Sequence, residues 1–196
     1  MRICVLVGSS RKNGISQQVC ELIKQLGENR FQCDFVYLSD YNIEVCDQDN
    51  KCSYKPCQIK DDTHLIVDRM LDADAIIYMP VMHAYGTNSR FQSFLERVGY
   101  GFLRPLNRPL KDKVAGVVVV GRRYGHTNVY SQIVLNILLN KMILAGSGFP
   151  ATFYGMLGGA TEDIEAIESL QQMLNRMIEI SNKINYYSLS REPVLV

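Results

Sequence analysis

Apolar residues come along this chain in short, nearly unbroken runs, each followed by a polar, glycine-bearing turn and then by apolar positions at helical spacing. Ile3, Val5, Leu6 and Val7 form the first run, of the kind that suits a central parallel strand covered on both faces. Gly8 to Ser16 is small, polar and basic. Ile15, Val19, Ile23 and Leu26 then fall three or four apart, which predicts a helix. Residues 32–38 alternate through Cys33, Phe35 and Tyr37 as a second strand, and residues 63–71 form a helix with Leu65, Ile66, Met70 and Leu71 inward. Residues 73–79 make a third strand ended by Pro80, before a helix capped by Thr87 or Asn88 and carrying Phe91, Phe94, Leu95 and Val98. Residues 113–121 are the most apolar strand; the helix after them carries Val129, Ile133, Ile137, Leu138 and Met142. Residues 150–154 make the fifth strand, and a long helix over 161–187 turns Ile164, Ile167, Leu170, Leu174, Met177 and Ile178 inward. Five strands alternating with helices predict a doubly wound, three-layer α/β unit with a parallel sheet of order 2-1-3-4-5. In that order the loops after the first and third strands flank a crevice where ligands bind.

Composition narrows the class. A chain of 196 residues, 47% hydrophobic, suits one core and a single domain over residues 1–196. The net charge of +1 and the lack of a basic block give no reason to expect a nucleic-acid or anionic-membrane partner. No apolar run approaches a membrane span, so a cytoplasmic protein is expected. The six cysteines are expected to be thiols rather than a disulfide framework.

The chemistry gathers in the turns. GSSRKNGIS, residues 8–16, places backbone N–H groups at a helix N-terminus with the hydroxyls of Ser9, Ser10 and Ser16 and the charge of Arg11, a set suited to a terminal phosphate. It is not the dinucleotide G-x-G-x-x-G, and Ile15-Ser16 stands where a nucleoside-triphosphate loop needs Lys-Ser. The competing reading is a plain turn capped by Ser16 or Asn13. His83, Ala84, Tyr85 and Gly86 offer flat and polar groups for a planar ring, and RRYGHTN (122–128) adds a third polar wall. Cys46, Cys52 and Cys57 lie in a polar stretch, but a tetrahedral site wants four ligands; free thiols are the preferred reading and no metal site is expected.

Taken together, GSSRKNGIS, ADAIIYMPVMHAYGTNSRFQSFLER and VVVVGRRYGHTN resemble the NAD(P)H-dependent flavin mononucleotide (FMN) reductase family, flavodoxin-like enzymes that include quinone reductases, azoreductases and iron-sulfur flavoproteins. The likeness covers roughly residues 1–154. It implies a flavodoxin-like sandwich, bound FMN, NADPH or NADH as reductant, a small-molecule electron acceptor such as a flavin or quinone, and a homodimer or homotetramer. It further implies that Ser9, Arg11, Asn13, Ser16 and Gln17 bind the flavin phosphate and that Pro80, Val81, Met82 and His83 lie against the ring. Gly121, Arg122, Tyr124 and Gly125 then stand near its carbonyl edge. No catalytic side chain is required, because the chemistry belongs to the flavin; His83 and His126 are the candidates for protonating an acceptor. The alternative is a flavodoxin-like electron-transfer or regulatory flavoprotein acting through a protein partner, which the balanced charge disfavours. Two departures stand out: Met82 replaces the family's usual aromatic, and Asp49 stands where iron-sulfur members carry the second of four cysteines.

Overall fold

Where the sequence is most apolar, the backbone is extended and covered on both faces. The computed structural model of the chain describes residues 1–47, 49 and 51–190, with the backbone alone at 100, 101 and 187–190. In chain order its elements are β1 (Arg2–Val7), α1 (Ile15–Leu26), β2 (Gln32–Tyr37), α2 (Thr63–Asp72), β3 (Ala75–Met79), β4 (Met82–His83), β5 (Gly86–Thr87), α3 (Ser89–Glu96), β6 (Val114–Gly121), α4 (His126–Leu139), β7 (Ile143–Leu144), β8 (Ala151–Tyr154) and α5 (Ile164–Ser190).

β2, β1, β3 and β6 pair in that order, all parallel, as expected. The fifth position is shared by two short strands: β7 pairs with Val114 and Ala115, and β8 with Val118 to Gly121. Ile143 and Leu144 continue the apolar period of the preceding helix, so the sequence hides β7. Lys141, at φ 58°, breaks α4 away and turns these residues onto the sheet edge. The resulting order is that of a flavodoxin-like three-layer sandwich.

Alternation along the central strands divides the core. Leu6, Tyr78, Val117 and Val119 pack with Phe91, Phe94, Ile133 and Ile137 on the α2–α3–α4 face. Val5, Ile77, Val118 and Phe153 pack with Val19, Ile23, Leu170, Leu174 and Met177 on the α1–α5 face. Three helix positions differ from expectation: Leu65, Leu138 and Ile164 are exposed. On α2 the buried stripe runs Thr63, Ile66, Val67, Met70, and Ile164 is the first residue of α5, at the rim.

The cysteine-bearing stretch between β2 and α2 is fastened from below. α3 runs on into a π-helical turn, Arg97–Phe102, and Arg97 is fully buried. Its guanidinium donates to both oxygens of Asp61, whose side chain is equally buried, and to the carbonyls of Glu44 (3.1 Å) and Ile59 (3.5 Å) and the sulfur of Cys57 (3.7 Å). One cation thus joins both limbs of the stretch. Among the described residues, no helix is long and apolar enough to cross a membrane.

Candidate active site

The carboxyl ends of β1, β3 and β6 bring three loops together. The amide of Gly8 donates to the Met79 carbonyl (2.9 Å) and that of Val120 to the Pro80 carbonyl (3.2 Å), so each loop leaves its strand already tied to the next. Asn88 completes the stitching. It stands at the N-cap of α3 but makes no side-chain cap bond. Its Nδ2 donates to the Gly8 carbonyl (3.0 Å), its Oδ1 accepts from the Val81 amide (3.4 Å) and its own amide donates to the Val81 carbonyl (3.0 Å). An asparagine before a helix reads as a cap; only the neighbouring strand reveals its other use.

A cavity of about 320 Å³ lies against the β1–α1 loop, bounded by Ser9, Ser10, Arg11, Lys12, Gln17, Tyr37, Ser39 and Asp40. Ser9 Oγ accepts the Arg11 amide at 3.1 Å, which curls the loop around this space. Of the five residues expected at a phosphate, Ser9, Arg11 and Gln17 line the cavity. Ser16 is buried in the first turn of α1, and Asn13 is exposed outside the lining. Neither caps α1, whose N-cap is Gly14 with no side-chain bond. Gln17 is committed on both sides: its Oε1 accepts from the Tyr37 hydroxyl (2.8 Å) and its Nε2 donates to Glu21 (3.0 Å). Tyr37, Ser39 and Asp40 come from the end of β2, whose register sets Tyr37 opposite Val7. No local pattern in residues 8–17 points to them.

The second and third loops meet face to face. Pro80 is buried, Val81 and Met82 are half-buried, and His83 is exposed. The loop is itself a small antiparallel hairpin, with Met82 opposite Thr87 and His83 opposite Gly86. It rests on the β6–α4 loop so closely that a Cβ on Gly121 would lie 2.9 Å from the Met82 Cβ and 2.8 Å from His126 Nε2. Arg122, Arg123 and Tyr124 are exposed, with the Arg123 guanidinium 4.9 Å over the Tyr124 ring. The structure therefore gathers Pro80, Val81, Met82 and His83 beside Gly121, Arg122, Tyr124 and Gly125.

His126 is placed differently from its loop reading. It is 1% exposed, donates from Nε2 to the Phe153 carbonyl (3.1 Å) and packs its ring 4.1 Å from that of Tyr154. Burial pushes its pKa below the ordinary value, so it stays neutral and cannot serve an acceptor; His83 is the histidine open to the site. A depressed histidine means that the unfolded chain binds a proton the folded one refuses. The His126 contribution is thus intact above about pH 6.5 and eroded by up to about 1.4 kcal/mol per pH unit below it. Chemical denaturation between pH 7 and 5 is expected to show this slope, and His126→Gln to flatten it.

Residues 1–156 match the model of a family described as NADPH-dependent FMN reductase. That span contains all three loops. The chain belongs to this family. The chain is 29% identical over 164 residues to an iron-sulfur flavoprotein of Methanocaldococcus jannaschii, covering 81% of this chain and 82% of that one. Among solved structures it is similar to RosB with a bound riboflavin-phosphate intermediate (TM-score 0.76, 13% identity, 100% of this chain and 90% of that one). It is also similar to FerB, an NAD(P)H:(acceptor) oxidoreductase of Paracoccus denitrificans (TM-score 0.69, 14% identity, 93% and 97%). Both structures share the flavodoxin-like fold. The protein is a flavin-dependent oxidoreductase with FMN as its cofactor.

The donor set suits that cofactor. The Ser9 and Ser10 hydroxyls and two cations (Arg11, Lys12) around the cavity match a dianionic phosphate, while the Ser39 hydroxyl donates to Asp40 (3.4 Å) and that of Tyr37 to Gln17. An iron-sulfur cluster, which the archaeal relative's name carries, does not fit. Cys46-x2-Asp49-x2-Cys52-x4-Cys57 has three thiols for four corners. The Asp49 carboxylate is turned to Lys51, at 2.7 Å from Nζ and 2.9 Å from the backbone amide. Among the described residues, no three acidic, cysteine or histidine side chains converge on one ion.

Proposed function

We propose that this FMN reductase oxidises NADPH or NADH and delivers the electrons to a small acceptor such as a free flavin or a quinone. The observation that carries this reading is the convergence of a hydroxyl- and cation-lined cavity with two interlocked loops at the point where the sheet changes winding direction. When bound, FMN supplies the two-electron redox chemistry that joins a nicotinamide to an acceptor. Ser9, Ser10, Arg11 and Lys12 hold its phosphate, with the backbone amides at the start of α1 adding donors. The 80–83 and 121–125 loops form the seat of its ring. With FMN bound, the Arg122 guanidinium and the backbone amides of the same loop would favour negative charge on the ring. His83, exposed on β4, is the histidine placed to give a proton to an acceptor. The homo-oligomer is supported by the outward face of α4, where Leu135 and Leu138 are 66% and 58% exposed.

The test is direct. The purified protein is expected to be yellow, and NADPH or NADH is expected to bleach it in the absence of oxygen; a flavin that binds but is not bleached marks a passive carrier instead. Arg11→Ala removes a charge-assisted contact of about 1.5–3 kcal/mol, so FMN affinity is expected to fall by about 10- to 100-fold. Unchanged affinity by equilibrium dialysis rejects the phosphate assignment.

A further inference from the structure

Ala84 and Tyr85 form the two-residue tip of the β4–β5 hairpin, and both hold left-handed backbone angles, φ 49° and 64°. A turn with both central φ values positive is the one that Asn-Gly ordinarily supplies, because side chains with a Cβ resist it. Here it is built from an alanine and a tyrosine, with the chain's glycine one place too late, at Gly86. Strain of this kind persists where the surroundings over-determine it.

The surroundings are the β6–α4 loop. A Cβ on Gly125, itself at φ 85°, would lie 3.1 Å from the Tyr85 Cα, 3.2 Å from its ring atom Cδ1 and 3.4 Å from the Met82 sulfur. Position 125 is thus kept free of a side chain exactly where the tyrosine rests. Tyr85 nonetheless remains 66% exposed: its ring is backed by one loop and open on its other side. His83, on the same hairpin, and Arg122 and Tyr124, on the facing loop, are exposed as well. A strained turn therefore presents a flat aromatic surface above the two loops that the proposed function assigns to the flavin ring.

We propose that Tyr85 is a flavin-ring contact of this protein, its phenol lying against the isoalloxazine plane. The assignment rests on the proposed FMN seat. It gives the left-handed pair a purpose, since those two residues set the ring against Gly125. Aromatic rings prefer offset or edge contacts to solvent, and a tyrosine brings such a surface with only two side-chain torsions to fix.

Tyrosine and tryptophan stacked on a flavin donate an electron to its excited state and quench its fluorescence, whereas phenylalanine does not. Apoprotein is titrated with FMN, reading dissociation constant and bound-state fluorescence for the unaltered chain and for Tyr85→Phe, Tyr85→Trp, Tyr85→Ala and Tyr124→Phe. The expected pattern is dim bound FMN in the unaltered chain, Tyr85→Trp and Tyr124→Phe. Tyr85→Phe should bind within about twofold but brightly, and Tyr85→Ala brightly and about five- to tenfold more weakly. Tyr85 lies at an exposed turn, so these variants keep the core. If the Tyr85 variants bind FMN as tightly and as dimly as the unaltered chain, or if dimness is lost only with Tyr124→Phe, the ring contact is overturned while the FMN seat stands. If the unaltered chain binds no FMN, the proposed function fails and the contact with it.

Discussion

Arg97→Leu is expected to remove about 3–5 kcal/mol of stability, a large share of what a protein of this size possesses. The reason is asymmetry. The Arg97 and Asp61 side chains are both completely buried, and each is tolerable only because the other is present. Burial alone would raise the Asp61 carboxyl; donors from Arg97, from the Glu44 amide and from Thr63 outweigh it and hold the group below the usual carboxylate range. Deleting the cation leaves that carboxylate desolvated and unpaired, and also frees the Glu44 and Ile59 carbonyls and the Cys57 thiol. Arg97→Leu combined with Asp61→Leu removes both charges, so it is expected to regain much of the loss. Urea unfolding of the two variants measures this; a single variant within 1 kcal/mol of the unaltered chain would show that the pair carries no net weight. Because the Asp61 pKa is depressed, its contribution is present above the unfolded carboxylate value of about 3.9 and is lost as pH falls through the folded one.

Gly121→Val is expected to abolish retention of FMN through purification and to cost about 1–3 kcal/mol in stability. Gly121 ends β6 at the point where the ring loop crosses it, and even a methyl group there would meet the Met82 Cβ at 2.9 Å and the His126 ring at 2.8 Å. His126 cannot yield easily, since its Nε2 is bonded to Phe153 and its ring is packed on Tyr154. The hairpin is the softer side, so it lifts, taking Met82, His83 and Tyr85 away from the β6–α4 loop. Flavin content and melting temperature read the two effects separately. Full flavin content in Gly121→Val would mean that close contact between these loops is not what seats the ring.

Much of the frame was legible because its signal is local. The runs at Ile3–Val7 and Val114–Gly121 are buried on both faces and so carry continuous apolar sequence, while α1 announces itself through Ile15, Val19 and Ile23. The order of the four main strands followed from alternation and crossover handedness. Loop chemistry was partly legible too: Ser9, Arg11 and Gln17 line the cavity because a polar, basic turn after a buried strand has few other uses. By contrast, β4 and β5 are two residues each, and their Ala-Tyr tip bears none of the residues that usually mark such a turn. The polar loop containing His126 suggested exposure until β8 was laid beside β6, bringing the Phe153 carbonyl over the ring.

Sequence alone therefore determined the layers, the strand order and the three loops that matter, since each depends on periodicity or composition within about a dozen residues. Only the tertiary structure decided that Asp61 and Arg97 share one buried site across 36 positions, that Tyr37 and Asp40 wall the cavity beside the β1–α1 loop, and that Gly121 and Gly125 are bare because Met82 and Tyr85 occupy their space. Those relations join residues whose separation along the chain carries no period, and it is the register of parallel strands, set by burial of the whole sheet, that brings them into contact.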